Sequence, residues 1–322
     1  MKAIFQERYG SADVLQFGDV AKPEIGDQDV LVRVRAAGMD RGVWHLMAAV
    51  PHLARLATGL RTPKNQVPGM DLAGVVEAVG KDVTRFKPGD EVLGIGKGAF
   101  AEFARAPEKK LVKKPAGLSF EQAAALSISG ITALGAVRDA GKVQPGQSVL
   151  IVGASGGVGT FAVQIAKALG AEVTGVSSGS KTDLVRSIGA DHVIDYALED
   201  FTDGARQWDV IIDIAGNRKV SHMRRALAPR GTLVIVGGED GGNFSGSLGR
   251  PIRAALLSPF VRHRLVMKGP AERLEDIQAV ADLAEAGKIT PAIERTYPLS
   301  EAAAAMRHLV AGRVRGKLVV TV

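Results

Sequence analysis

The stretch LIVGASGGVG, Leu150 to Gly159, sets an apolar run directly against a glycine corner, an order that few folds accept. QSVLIVGA has the continuous Val/Ile/Leu character of a strand buried on both faces. GVGTFAVQIAKALG, which follows, has helical spacing. The rhythm then repeats through AEVTGVS, SKTDLVRSIG, DHVIDY, WDVIIDIAG, NRKVSHMRRALAP and GTLVIVGG. Short strands alternating with helices predict right-handed βαβ units in a doubly wound parallel sheet.

The corner itself, Ala154-Ser155-Gly156-Gly157-Val158-Gly159, is G-x-G-x-x-G with alanine in the first place. The first small residue permits the turn, the second lets backbone approach a pyrophosphate, and the third lets the helix pack on the strand. The helix N-terminus adds free N–H groups and a partial positive charge. In this strand-to-helix context the motif predicts dinucleotide binding, the alternative being a turn used only for packing. The end of the second strand selects the dinucleotide. An NAD site carries Asp or Glu there, about twenty residues beyond the glycines. Here the residues are Ser177, Ser178, Ser180 and Lys181, and the first carboxylate is Asp183. Hydroxyls and an ammonium suit a 2′-phosphate, so the expected cofactor is NADPH. Ser180 and Asp183 also fit an ordinary helix start, as N-cap and capping-box partner, and both readings can hold together.

The first 125 residues read differently. KAIFQ, DVLVRVRAAG, GVVEAVG, DEVLGIG and FAEFARA are strand-like runs broken by turns such as KPGD, and they predict a mostly antiparallel barrel or sandwich. SFEQAAAL then opens a helix with Ser119 at N-cap and Gln122 at the third position. The later runs AERLEDIQAVADLAEAGK, AIERTY, SEAAAAMRHLVAG and GKLVVTV read as helix, strand, helix and strand, and belong clearly to neither half.

Composition excludes some chemistry. The chain of 322 residues has no cysteine, which rules out disulfides, thiolate zinc sites and thiol nucleophiles. MKAIFQERYG lacks a signal-peptide core, and no apolar run could span a bilayer, so a soluble cytoplasmic protein is expected. The net charge of +7 and pI of about 9.6 fit either an anionic partner or a scattered solvated surface. The densest basic stretch, Gly249 to Gly269, holds Arg250, Arg253, Arg262, Arg264 and Lys268, with Phe260 as its one aromatic. With no nucleic-acid-binding motif beside it, nucleic acid is not the expected partner.

VPGMDLAGVVEAVG, Val67 to Gly80, with FKPGDEVLG, ASGGVG and GADHVIDY, resembles the zinc-free quinone oxidoreductase branch of the medium-chain dehydrogenase/reductase superfamily. The tail from AGKITPAIERTYPL and the segment WHLMAAVPHLARLATGLRTPKN are similar to the same branch, especially to bacterial members and mitochondrial reticulon-interacting relatives. The resemblance runs nearly end to end. It implies an α/β architecture: a GroES-like β-barrel domain over 1–125, a Rossmann domain over 126–268, and a return to the first domain over 269–322, with the first domain forming the other wall of the active-site cleft. It also implies a homodimer formed through the edge of the Rossmann sheet.

The resemblance assigns residues. Zinc-dependent members carry a cysteine where this chain has Asp40 and a histidine where it has Met70, and their four-cysteine lobe is missing here, so no metal is expected. The six histidines lack ligand spacing and read as surface or packing residues. Thr132 matches a threonine near the nicotinamide, or is a helix hydroxyl bonded back to a carbonyl. Ser155, Gly156, Gly157, Val158 and Gly159 are expected to face the pyrophosphate. Ser177, Ser178, Lys181 and Tyr196 are expected around the 2′-phosphate, with Tyr196 equally readable as a strand-end residue. Ala215 and Gly216, with Val236 and Gly237, end the fourth and fifth strands and are expected to line the cofactor, with Asp213 anchoring its loop. Asp40 is either a proton relay or the N-cap of a helix over RGVWHLM. Trp44 and Met47 either line the substrate cleft or pack beneath it. The implied activity is hydride transfer from NADPH to a quinone or other α,β-unsaturated carbonyl. The alternatives are an enoyl thioester reductase, or an NADPH-binding crystallin-like or nucleic-acid-binding protein with little turnover.

Overall fold

The computed structural model describes residues 1–50, 52, 55–237, 254, 257–258, 261–269 and 272–322. The chain divides into two units, one made of Met1–Ile131 with Glu272–Val322 and the other of Thr132–Ala271.

The first unit begins with β1 (Lys2–Phe5), β2 (Gln16–Asp19), β3 (Asp29–Met39), α1 (Arg41–Ala48) and α2 (Arg55–Thr58). It continues through β4 (Asp71–Val79), β5 (Glu91–Ile95), β6 (Phe103–Pro107), β7 (Leu111–Lys113) and α3 (Phe120–Ala124). α4 (Ser127–Leu134) carries the chain across the junction and continues as a π-helical turn over Gly135–Ala140. The second unit then holds β8 (Ser148–Val152), α5 (Gly157–Ala168), β9 (Glu172–Ser177), α6 (Thr182–Ser187), β10 (His192–Asp195), β11 (Trp208–Asp213), α7 (Val220–Arg225), β12 (Leu227–Ile235) and β13 (Arg264–Met267). The chain returns to the first unit with α8 (Leu274–Glu285), β14 (Ile293–Pro298), α9 (Ala302–Val310) and β15 (Lys317–Thr321).

β3 organises the first unit. Val30, Val32 and Val34 point inward while Arg33 and Arg35 point out, the period of a half-buried strand. Along one edge it pairs with β6 through Asp29–Arg33 and then with β15 through Ala36–Met39. Its other edge pairs with β4. The sheet runs β14-β15-β3-β4-β5-β7, antiparallel except for the parallel pair β14–β15. The tail, which its pattern of elements alone assigns to neither half and which the resemblance returns to the first domain, completes this sheet.

The second unit is a six-stranded parallel sheet in the order β10-β9-β8-β11-β12-β13. Strand order reverses between β8 and β11, which makes the carboxyl edge there the switch point where ligands bind in open α/β sheets. Two cations of the basic stretch have structural partners. Arg264 donates to the Ala140 carbonyl at 2.6 Å and Lys268 to that of Gly269 at 2.5 Å. Arg250, Arg253 and Phe260 lie outside the described residues.

The predicted capping box at α3 is formed. Ser119 Oγ accepts from the Gln122 amide at 3.2 Å, and Gln122 Oε1 accepts from the Ser119 amide at 3.0 Å. α3 packs on β3, β4 and β15. Ser119→Ala is expected to lower stability of the first unit by about 1 kcal/mol, measured by denaturant unfolding of the full chain.

Candidate functional site

In the second unit β8 ends at Val152, and the chain turns through Gly153 at φ +88°. The left-handed turn thus falls one residue before the motif, on Gly153, not on Ala154 as the motif alignment suggested. Ala154 is fully buried, and its Cβ comes within 3.0 Å of where a side chain on Gly175 would start. Its small size serves packing. The Gly153 and Ala154 amides both donate to the Val176 carbonyl, at 3.1 and 3.0 Å, which ties the corner to β9.

The glycines of the corner have separate tasks. A Cβ on Gly159 would lie 2.1 Å from the Gly153 carbonyl oxygen, so only glycine lets α5 approach β8 this closely. A Cβ on Gly156 would meet nothing nearer than that oxygen at 3.6 Å. Gly156 therefore keeps a space open in front of the helix rather than relieving a clash. It is the N-cap of α5 with no capping side chain, so the first-turn N–H groups of Gly157, Val158 and Gly159 have no intrahelical acceptor. Open space before bare helix amides fits a phosphate group. Ser155 is buried beside it.

The neighbouring strand ends lie along the same edge. Ser177 is buried and its hydroxyl donates to the Ser178 carbonyl at 3.2 Å. Ser178 and Ser180 hydroxyls are 3.3 Å apart. The expected capping box at Ser180 is not formed. A 3₁₀ turn occupies Gly179–Lys181, and α6 starts only at Thr182. The serines are thus spent on a loop between strand and helix, with Lys181 at its end. Tyr196 is 50% exposed, and its amide donates to the Ser177 carbonyl at 3.2 Å, placing it at the joint carboxyl edge of β9 and β10.

After β11 the amides of Ile214 and Ala215 donate to the Val152 carbonyl. The buried Asp213 accepts from the Gly216 amide at 3.0 Å, which is the anchoring role expected of it. The Val236 and Gly237 amides donate to the Asp213 carbonyl, so the fourth and fifth strand ends are bound to one another. Thr132 is half-buried on α4.

Asp40 belongs to the first unit. Its Oδ1 accepts from the Val43 amide at 3.1 Å, making it the N-cap of α1. Val43, Leu46 and Met47 of this helix, with Met70, Val67 and Gln6, line a pocket of about 830 Å³. Met47 both borders this pocket and is buried in the core, whereas Trp44 packs against the core from its edge. Gln6 Nε2 donates to the Met47 carbonyl at 3.1 Å and fixes the other end of α1.

Behind Asp40 is a buried group that the sequence did not single out. Lys317 Nζ, 2% exposed as a residue, is 3.4 Å from Asp71 Oδ2, 3.9 Å from Asp40 Oδ2 and 3.1 Å from Ser129 Oγ. Asp71 Oδ1 accepts from the Ile128 amide at 2.8 Å. Burial raises the Asp71 carboxyl to about 7; Lys317 and the Ile128 amide pull it down, while Asp40 pushes it further up. One ammonium is shared by two carboxylates. The only sequence signals were single charges at the starts of apolar strands, in GMDLAGVV and GKLVV.

At least four of the six histidines have structural partners. His45 bonds the Val50 carbonyl, His52 that of Ala49, His192 bonds Glu172, and His308 bonds Tyr297. Among the described residues, no group of three or more His, Asp or Glu is placed to hold a metal ion.

Comparison with known proteins matches residues 26–116 to the alcohol dehydrogenase GroES-like domain and residues 188–320 to a family described as zinc-binding dehydrogenase. A quinone oxidoreductase of Pseudomonas aeruginosa is 37% identical over 332 residues, covering 99% of this chain and 98% of that protein. A 2-methylene-furan-3-one reductase of Solanum lycopersicum is 33% identical, covering 99% of this chain and 79% of that protein. The solved structure of Escherichia coli quinone oxidoreductase complexed with NADPH superposes with a TM-score of 0.83, at 25% identity and full coverage of both chains.

The two glycines of the corner should separate in a substitution test. Gly159→Ala is expected to destabilise the second unit by about 1–3 kcal/mol through overpacking. Gly156→Ala should leave its stability within about 1 kcal/mol, since its backbone is already extended. Unfolding followed through the buried Trp208, in a Trp44→Phe background, reads this unit alone.

Proposed function

Because the chain belongs to the quinone oxidoreductase branch of the medium-chain dehydrogenase/reductase superfamily, we propose that it reduces a quinone or another α,β-unsaturated carbonyl with NADPH. The observation that carries this reading is the α5 corner: an open space at Gly156, bare helix amides and a serine-lined strand end with no carboxylate before Asp183. The relatives named quinone oxidoreductase and 2-methylene-furan-3-one reductase, and the NADPH complex of the E. coli enzyme, support it.

NADPH, when bound, supplies a hydride to the acceptor. The chain's part is to hold and orient. Gly156, Gly157, Val158 and Gly159 present amides to the pyrophosphate, with Ser155 beside them. Ser177, Ser178, Lys181 and Tyr196 take the 2′-phosphate. Backbone at Ala215, Gly216, Val236 and Gly237 lines the cofactor, and Thr132 stands beside the nicotinamide. The acceptor occupies the pocket walled by α1 and Met70. Asp40 acts as the cap of α1, and the proton of the reduced product comes from water. The reading is zinc-free: no cysteine is present, and Asp40 and Met70 offer an incomplete ligand set. The reading places the protein in the cytoplasm as a homodimer joined along β13, which ends the six-stranded sheet among the described residues.

Steady oxidation of NADPH in the presence of quinones or enones tests the proposal. Saturable binding without turnover would make the chain a cofactor-binding protein instead. Charge-assisted contacts are worth roughly 1.5–3 kcal/mol, so Lys181→Ala should weaken NADPH about tenfold or more and leave NADH nearly unchanged. Equal losses would assign Lys181 to the fold.

Asp40→Asn tests the role of the cap. An obligatory general acid is worth about 10²–10⁴-fold, whereas a cap that asparagine can replace is worth little. Turnover with quinones at saturating NADPH should fall less than about tenfold. A thousandfold loss in a folded, cofactor-binding variant would make Asp40 a proton donor.

A further inference from the structure

We infer that Lys317 is a positioning residue for acceptor binding: from β15 it compensates the charge of Asp40 and so fixes where α1 stands in the pocket wall. This rests on the reading that the pocket lined by Val43, Leu46 and Met47 receives the acceptor.

The two oxygens of Asp40 have different surroundings. Oδ1 holds the first turn of α1 through the Val43 amide. Oδ2 is buried with no hydrogen-bond partner among the described residues, and Lys317 Nζ is the cation 3.9 Å away. A carboxylate in that position is costly unless a positive charge stands beside it. Lys317 is itself held by Ser129 and Asp71, on α4 and β4. α1 is therefore tied to the sheet at its N-terminus through a chain of charges and at its C-terminus through Gln6.

Removing the ammonium pushes the Asp71 carboxyl, already raised to about 7, further toward its neutral form and leaves Asp40 as a buried carboxylate with no cation beside it. The least costly response is for Asp40 to turn toward water, and the first turn of α1 goes with it. Removing the Asp40 charge as well cancels that strain, because asparagine still caps the helix. Lost packing of the lysine stem would not be cancelled this way.

The test compares Lys317→Met, Lys317→Arg, Asp40→Asn and the double variant Asp40→Asn/Lys317→Met. Lys317→Met is expected to raise acceptor KM about tenfold while kcat stays within about threefold, the split of a ground-state binding defect. The NADPH dissociation constant should stay within about twofold, since no contact to the α5 corner is removed. Lys317→Arg keeps the charge and should lie between wild type and Lys317→Met. The double variant should return KM to within about threefold of wild type. Hydrogen exchange over residues 40–48 gives a readout without turnover: faster in Lys317→Met, restored in the double variant. Equal impairment of single and double variants, or an unaffected Lys317→Met, overturns the assignment. If Lys317→Met does not fold, folding of the double variant supports it and failure of both overturns it. If wild type reduces no quinone or enone, the functional reading fails, and the exchange series still decides the role of Lys317.

Discussion

One ammonium group joins three parts of the first unit that are distant in sequence. Lys317 reaches Asp71 at the start of β4 and Asp40 at the end of β3, and β15 then pairs with β3 from Ala36 to Met39. A lysine this deeply buried is tolerated only because its neighbours are charged or hydroxylated. The same contact makes the sheet register specific. A one-residue slip of β15 would turn Lys317 to the opposite face and leave Asp71 without its cation.

The second unit relies on close approach instead. Its corner depends on what is missing from Gly153, Gly156 and Gly159: a steric conflict at φ +88° in the first, an obstruction in the second and a clash in the third. The remaining strand ends are fastened by backbone amides to Val152, Val176 and Asp213. The carboxyl edge of this sheet is therefore fastened mostly through main chain, and its geometry depends little on rotamers.

Much of this was legible in the sequence. Val/Ile strands alternating with helices foretold the parallel sheet, and Ser119 with Gln122 foretold the α3 cap. The corner residues were identified, but their individual duties were not, because φ at Gly153 and the open face at Gly156 are three-dimensional facts. Ser180 fitted a capping box by spacing alone, and the 3₁₀ turn before α6 took that possibility away. The Asp40–Lys317–Asp71 group was hidden for a different reason. Asp71 and Lys317 are 246 positions apart, and no local period reports a pairing at that distance. β7 and β13 were missed because they are three and four residues long and lie next to basic turns.

The first unit is discontinuous, and that has a consequence during synthesis. Domains generally fold as units while the chain emerges at about 5–20 residues per second. Every residue of the second unit leaves the ribosome before Lys317 does, so that unit can finish while the first still lacks α8, β14, α9 and β15. Until then Asp40 and Asp71 have no cation, and the β3 edge from Ala36 to Met39 is unpaired. An open strand edge on an unfinished sheet is a template for pairing with another chain. Between translation of β13 and of β15 that edge stays open, and the strand that closes it is the one that carries Lys317.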